Sequence, residues 1–353
     1  MGAHRNFTTS LGRSSRVIII VIAFIIAGCS EDKQGDKKPA SQEQKPMVTP
    51  PTFNADSSYN ALKVQVEMGP RVPGSNAHRA CGDWLMQTLA SRGALVKEQK
   101  TSLQTFDGKH VPVRNIIAAF QPENKDRVLL CAHWDTRPFA DKETENSLRN
   151  KAIDGANDGA SGVAVLMEIA RAIQIQSPRI GIDIMLLDVE DSGAAENSPM
   201  KSGEVLNPGY VTSWCLGSQY WARNPHQAGY KARFGILLDM VGATDATFNK
   251  EKYSTEIAPD VVNLIWSTAS RLGYGKYFLP DAVQGVIDDH VMISRGGVRC
   301  IDIIDTRPTP NAMGLGGYVF GPYHHTHKDN LEIIDRAALE ATGRTLLQVL
   351  YNL

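Results

Sequence analysis

The run LLDVEDSGAA, residues 186–195, sets apolar residues directly against Asp188, Glu190 and Asp191. Adjacent carboxylates repel unless a cation or a proton holds them. A strand that ends this way either runs out into solvent or meets a metal ion with a general base beside it. Other stretches offer partners of the right kind. ANDGASG places Asp158 just ahead of a helical pattern, where it can cap the helix or bind a ligand. HWD puts His133 and Asp135 after RVLLCA, FGILLD closes on Asp239, DDH holds Asp288, and GPYHHTHKDN offers His324, His325 and His327 with Asp329. Each has an ordinary explanation alone. Together, aspartate, glutamate and histidine form an oxygen and nitrogen donor set suited to zinc.

The elements that must position these residues can be read from periodicity. NIIAAF (115–120), RVLLCA (127–132), IDIMLLD (182–188), FGILLD (234–239) and VRCIDII (298–304) read as buried strands. Residues 159–174 place Val163, Leu166, Ile169 and Ile173 on one helical face, and residues 258–273 and 335–353 behave similarly. Strands alternating with helices predict one α/β domain, a mixed and mostly parallel twisted central sheet flanked by helices. In such sheets ligands bind beyond the carboxyl ends of the strands. His133, Glu190, Asp191 and Asp239 all fall there.

The chain has 353 residues and a net charge of −1, which gives no reason to expect nucleic acid. Residues 1–28 carry Arg5, Arg13 and Arg16 and no acid, followed by the apolar run Val17 to Ala27 and then Gly28-Cys29. This run is too short to span a bilayer but suits the core of a signal peptide. The ending IIAGC resembles a bacterial lipobox, which implies export, cleavage and a lipid anchor on Cys29 in the cell envelope, at its periplasmic or outer-membrane face. Residues 29–54 are polar and Pro-rich and predict a disordered tether, leaving residues 55–353 as the catalytic domain. Cys81, Cys131, Cys215 and Cys300 contain no CxxC pair and are expected to be mostly buried free thiols.

The ordered set PRVPGS (70–75), HWD (133–135), NDGASG (157–162), ED (190–191), LLDMVGA (237–243), DDH (288–290) and HTxxDN (325–330) resembles the M28-type zinc aminopeptidase superfamily. HWDTRPFAD (133–141), WCLGSQYWARNP (214–225) and DDH are similar to the bacterial glutaminyl cyclase branch. The resemblance implies zinc ligands at Asp158, Asp191 and His325, with Glu190 as general acid/base. It places Asp288 at a hydrogen-bonding position of the site, Asp239 and His133 around it, and Trp214 in the wall of the substrate pocket. Relatives commonly carry Trp before the ligand histidine, whereas this chain has His324.

The implied reaction is cyclisation of an N-terminal glutamine of a peptide or protein to pyroglutamate with release of ammonia. One zinc per chain is expected. A rival reading, the two-zinc aminopeptidase, recruits His133 and Asp239 to a second metal and uses water as the nucleophile. A third reading is a surface-anchored binding lipoprotein without chemistry; the intact Glu190 and ligand set speak against it.

Overall fold

Side chains that alternate along buried strands divide the interior into two cores. The structure, a computed structural model, describes residues 48–195, 209–309 and 317–353. The strands are β1 (Leu95–Gln104), β2 (His110–Phe120), β3 (Arg127–His133), β4 (Gly181–Leu187), β5 (Gly235–Asp239), β6 (Phe248–Glu251), β7 (Phe278–Val283), β8 (Cys300–Ile304), β9 (Arg307–Thr309) and β10 (Gly317–Val319). The helices are α1 (Ala55–Glu67), α2 (Asn76–Ser91), α3 (Ala160–Ile175), α4 (Leu216–Arg223), α5 (Lys252–Ile257), α6 (Pro259–Arg271), α7 (Asp289–Arg295) and α8 (Arg336–Leu350). The main sheet runs β1-β2-β4-β3-β5-β8. Its first two pairings are antiparallel, and those of β4, β3, β5 and β8 are parallel.

Leu130, Ala132, Ile182, Ile184, Leu186 and Ile236 face one core, built with α1, α2, α3, α6 and α8. Leu129, Cys131, Met185, Leu187 and Leu237 face the other, with Trp221 of α4 and Ile293 of α7. This period of two on strands buried on both faces is the pattern of a central parallel sheet covered by helices. Helix α3 is buried nearly all round, so it lies inside the domain rather than on its surface.

The five expected strands correspond to β2, β3, β4, β5 and β8, and the three expected helices to α3, α6 and α8. The boundary between tether and domain differs. Residues 48–54, expected to belong to the tether, pack on the domain: Phe53 is buried against Gly343, Val48 exchanges hydrogen bonds with Asn352, and Asn54 caps α1. Gly343 leaves room for the Phe53 ring, which adds a large apolar contact to these hydrogen bonds. The signal peptide, Cys29 and residues 29–47 of the tether lie outside the described residues. No helix among the described residues is long and apolar enough to cross a membrane. The four cysteines of the domain are buried and free.

Candidate active site

Strand β4 stops at Leu187, and the next residues turn. Asp188 is wholly buried; it accepts the N–H of Arg114 at 2.6 Å and of Val189 at 2.9 Å, and His78 Nε2 lies 3.0 Å away. Val189 follows at φ 56°, a left-handed conformation that disfavours a β-branched residue. Asp135 fastens the turn from the other side, accepting the N–H of Glu190 at 3.1 Å and of Asp191 at 3.2 Å. The neighbouring acids can therefore both serve one site, which a straight strand would forbid. Among the described residues, four of the six non-glycine positions with positive φ are Val189, Cys215, Met240 and His325. Backbone strain gathered in one place marks a site held in shape by its surroundings.

His325 Nε2 lies 3.3 Å from Asp191 Oδ1 and 3.8 Å from Asp158 Oδ2. All three residues are buried, and Asp191 Oδ2 has no hydrogen-bond partner. A buried, unpartnered carboxylate oxygen beside a second carboxylate and an imidazole nitrogen is what a bound cation satisfies. The donors fit zinc, whose charge two carboxylates neutralise. Burial opposes charge on His325, but the carboxylates of Asp191 and Asp141 raise its pKa to about 9. Asp141 lies 3.3 Å from Nδ1, where a carboxylate would orient the imidazole if Nε2 bound a metal.

Asp158 makes no helix cap; Gly159 occupies that position at φ 102°, where a side chain would strike Asp135 O. Asp329 holds the segment by accepting the N–H of Asn157 at 2.7 Å and of Asp158 at 3.0 Å. His133 Nε2 lies 3.0 Å from Asp158 Oδ1 and 3.2 Å from Asp239 Oδ1. Burial works against its charge, yet the adjacent carboxylates of Asp135, Asp158 and Asp239 keep its pKa well above the ordinary range. His133, Asp158 and Asp239 thus form a second cluster with donor atoms close enough to hold a metal ion.

Glu190 borders a cavity of about 790 Å³ that also exposes Asp158, Asp191, Trp214, Asp288 and His324. Burial, then the neighbouring Asp288, push the Glu190 carboxyl well above the usual carboxylate range. Asp288 caps α7 through the N–H of Asp289, and its Oδ2 is buried without a partner. Trp214 is half-buried, not core: it lies parallel to His325 with ring centroids 5.7 Å apart. His324 stacks on His325 at 3.7 Å, and its Nδ1 is 2.6 Å from Lys142 Nζ. Its ring nitrogen joins the donor atoms of Asp158 and His325 in one cluster. His327 lies instead against Glu143, 3.4 Å away.

The sequence offers Asp135 only as one of several possible metal donors and gives no role to Arg137 or Asp141. All three lie in HWDTRPFAD, and a dense polar run straight after a buried strand was the available signal. Arg137 is wholly buried, bonded to Asp141 at 2.6 Å and to Asp191 at 3.3 Å, with its guanidinium 4.5 Å above the Trp214 ring. Cys215, 3.2 Å from Glu190 Oε1, had no signal beyond its place in WCLGSQYWARNP.

Residues 115–350 match peptidase family M28. The chain belongs to that family. Among solved structures, a glutaminyl cyclase from Tannerella forsythia is 47% identical, covering 86% of this chain and 100% of its own, with a TM-score of 0.78. A Zn-dependent exopeptidase from Parabacteroides distasonis is also 47% identical, with the same coverage and a TM-score of 0.79. The glutaminyl-peptide cyclotransferase of Bos taurus is 26% identical over 78% of this chain and 76% of its own length. Aminopeptidase YwaD of Bacillus subtilis is 23% identical over 73% of this chain, which spans only 49% of that relative.

Proposed function

We propose that this chain is a zinc-dependent glutaminyl-peptide cyclotransferase that converts the N-terminal glutamine of peptides or proteins to pyroglutamate and releases ammonia. The observation that carries the reading is Glu190, a carboxyl set beside the Asp158, Asp191 and His325 cluster at the wall of the cavity. The likeness to glutaminyl cyclases at 45–47% identity supports the same reading.

Asp158, Asp191 and His325 would hold one zinc ion, which supplies Lewis-acid polarisation of a carbonyl. The substrate's own α-amine is the nucleophile, so the protein has chiefly to hold the glutaminyl side chain folded back on its amine. Glu190 takes the proton from the attacking amine and delivers it to the departing nitrogen. Burial raises the pKa of Glu190 and a bound zinc would lower it, so the two act in opposite directions on the group that must both accept and donate. Trp214 and His324 line the space beside the ligands, where they would border the glutaminyl group. Asp288, with one oxygen unpartnered and within reach of Glu190, is placed to accept a hydrogen bond from the reacting amide.

The aminopeptidase reading has one observation in its favour, the cluster of His133, Asp158 and Asp239, and a paired assay separates the two. Ammonia release from a glutaminyl peptide, cleavage of a leucyl amide and zinc content are measured on one preparation. The expected result is ammonia with loss of one NH₃ in mass, near one zinc per chain and no cleavage. Release of amine from the leucyl substrate with near two zincs would establish the hydrolase instead.

We further propose export and lipid anchoring through Cys29, on the strength of the basic and apolar N-terminus ending in IIAGC. Proteins with N-terminal glutamine reaching the cell envelope are then its substrates. Wild type is expected in the membrane fraction with incorporated fatty acid, and Cys29→Ala without it. A Cys29→Ala variant that carries label equally would remove the anchor from that residue.

A further inference from the structure

The start of α4 is clasped to the turn that presents Glu190. Cys215 enters the helix in the left-handed region, at φ 56°, and has no side-chain cap to offer it. Its N–H donates to Glu190 O at 2.9 Å, and the next N–H, of Leu216, donates to Val189 O at 2.9 Å. Two left-handed residues, Val189 and Cys215, thus face each other across a pair of backbone hydrogen bonds. Gly217 closes the contact, because a side chain there would run into Asp188 O.

The Cys215 side chain continues the clasp. Its sulfur lies 3.2 Å from Glu190 Oε1, within the reach of a thiol donor. Cys81, Cys131 and Cys300 sit in the apolar clusters that fill the two sides of the sheet. Among the described residues, Cys215 is the buried cysteine that belongs to none of them. It is instead grouped with two carboxyls, those of Glu190 and Asp288. Burial, then the nearby Glu190, push its pKa well up, so the sulfur keeps its proton and remains a donor. Of the three groups, the thiol is the one that donates in every charge state of the others.

We propose that Cys215 is a positioning residue for the cyclisation: its S–H donates to Oε1 of Glu190, fixes the carboxyl group in one orientation and leaves the other oxygen to exchange the proton with substrate. No bond to sulfur forms or breaks, and the thiol proton stays where it is. The inference rests on the proposed role of Glu190.

The test compares Cys215→Ala and Cys215→Ser with wild type in the zinc-loaded full chain, following ammonia release, zinc content and thermal midpoint. Removing one hydrogen bond to a charged group should lower kcat about ten-fold, ~1.4 kcal/mol. KM and zinc content should stay near wild type, because the interaction is with the proton carrier and not with substrate or metal. The serine variant keeps an O–H donor in nearly the same volume and should recover most of the rate. An unchanged kcat in Cys215→Ala, or a serine variant no better than alanine, would overturn the role of the thiol while leaving the cyclase reading standing. A wild-type enzyme that releases no ammonia would overturn that reading, and this one with it.

Discussion

Glu190→Gln should lower the rate of cyclisation by about 10²–10⁴-fold while zinc content remains at the wild-type value. Glutamine keeps the length of the side chain and an oxygen able to accept from Cys215 Sγ, but it cannot take a proton from an amine. The loss should fall on kcat, since Glu190 changes partners only as the proton moves. Asp158, Asp191 and His325 are untouched by the substitution, and the turn at Val189 is held by Asp135 and Asp188 through backbone groups. The effect therefore isolates proton transfer from metal binding. Single-turnover ammonia release with zinc determined on the same sample is the measurement. A variant within ten-fold of wild type would mean that another group carries the proton.

The place of Glu190 was legible because it is written in one unbroken run: an apolar strand followed by two acids. The same holds for Asp239 at the end of β5 and His133 at the end of β3. A parallel sheet delivers residues from distant parts of the sequence to one edge, so strand ends can be read without knowing the contacts. Strand β1 was not legible. It is an edge strand whose sequence, LVKEQKTSLQ, is largely polar, and its burial alternates mostly between exposed and half-buried, so it gives little apolar signal to read. Helices α4 and α7 are each fewer than nine residues long, too short for periodicity to declare them. Asp135, Arg137 and Cys215 escaped for a different reason: what they do depends on partners tens of residues away, such as Asp191 for Arg137 and Glu190 for Cys215. Residue type and spacing do not encode such a partner. The misread boundary between tether and domain, at residues 48–54, turned on Gly343, nearly the whole chain away from Phe53.

Arg137→Met should destabilise the metal-free domain by about 3–5 kcal/mol, the usual result of breaking a buried ion pair from one side. The guanidinium is inaccessible to solvent and bonded to two carboxylates, Asp141 and Asp191, and to the carbonyl of Gly193. Methionine has a similar reach and no charge, so both acids would lose the buried guanidinium and keep His325 as a cationic neighbour. Burial opposes the charge of Arg137, but Asp191 and Asp141 outweigh it and raise its pKa. Zinc would change the balance, because a metal held by Asp191 would neutralise one of the two carboxylates that lose the guanidinium. The variant's deficit should therefore be larger in chelator than with zinc bound, and urea unfolding under both conditions measures the difference. Arg137→Lys should recover only part of the loss. An ammonium can pair with one acid, but it lacks the planar fork that reaches Asp141, Asp191 and Gly193 O while lying flat over Trp214. A deficit below about 1 kcal/mol in chelator, the size of an exposed pair, would show that solvent relieves the site. A full recovery by lysine would show that charge alone, and not the shape of the guanidinium, joins Asp191 to Trp214 at the wall of the cavity.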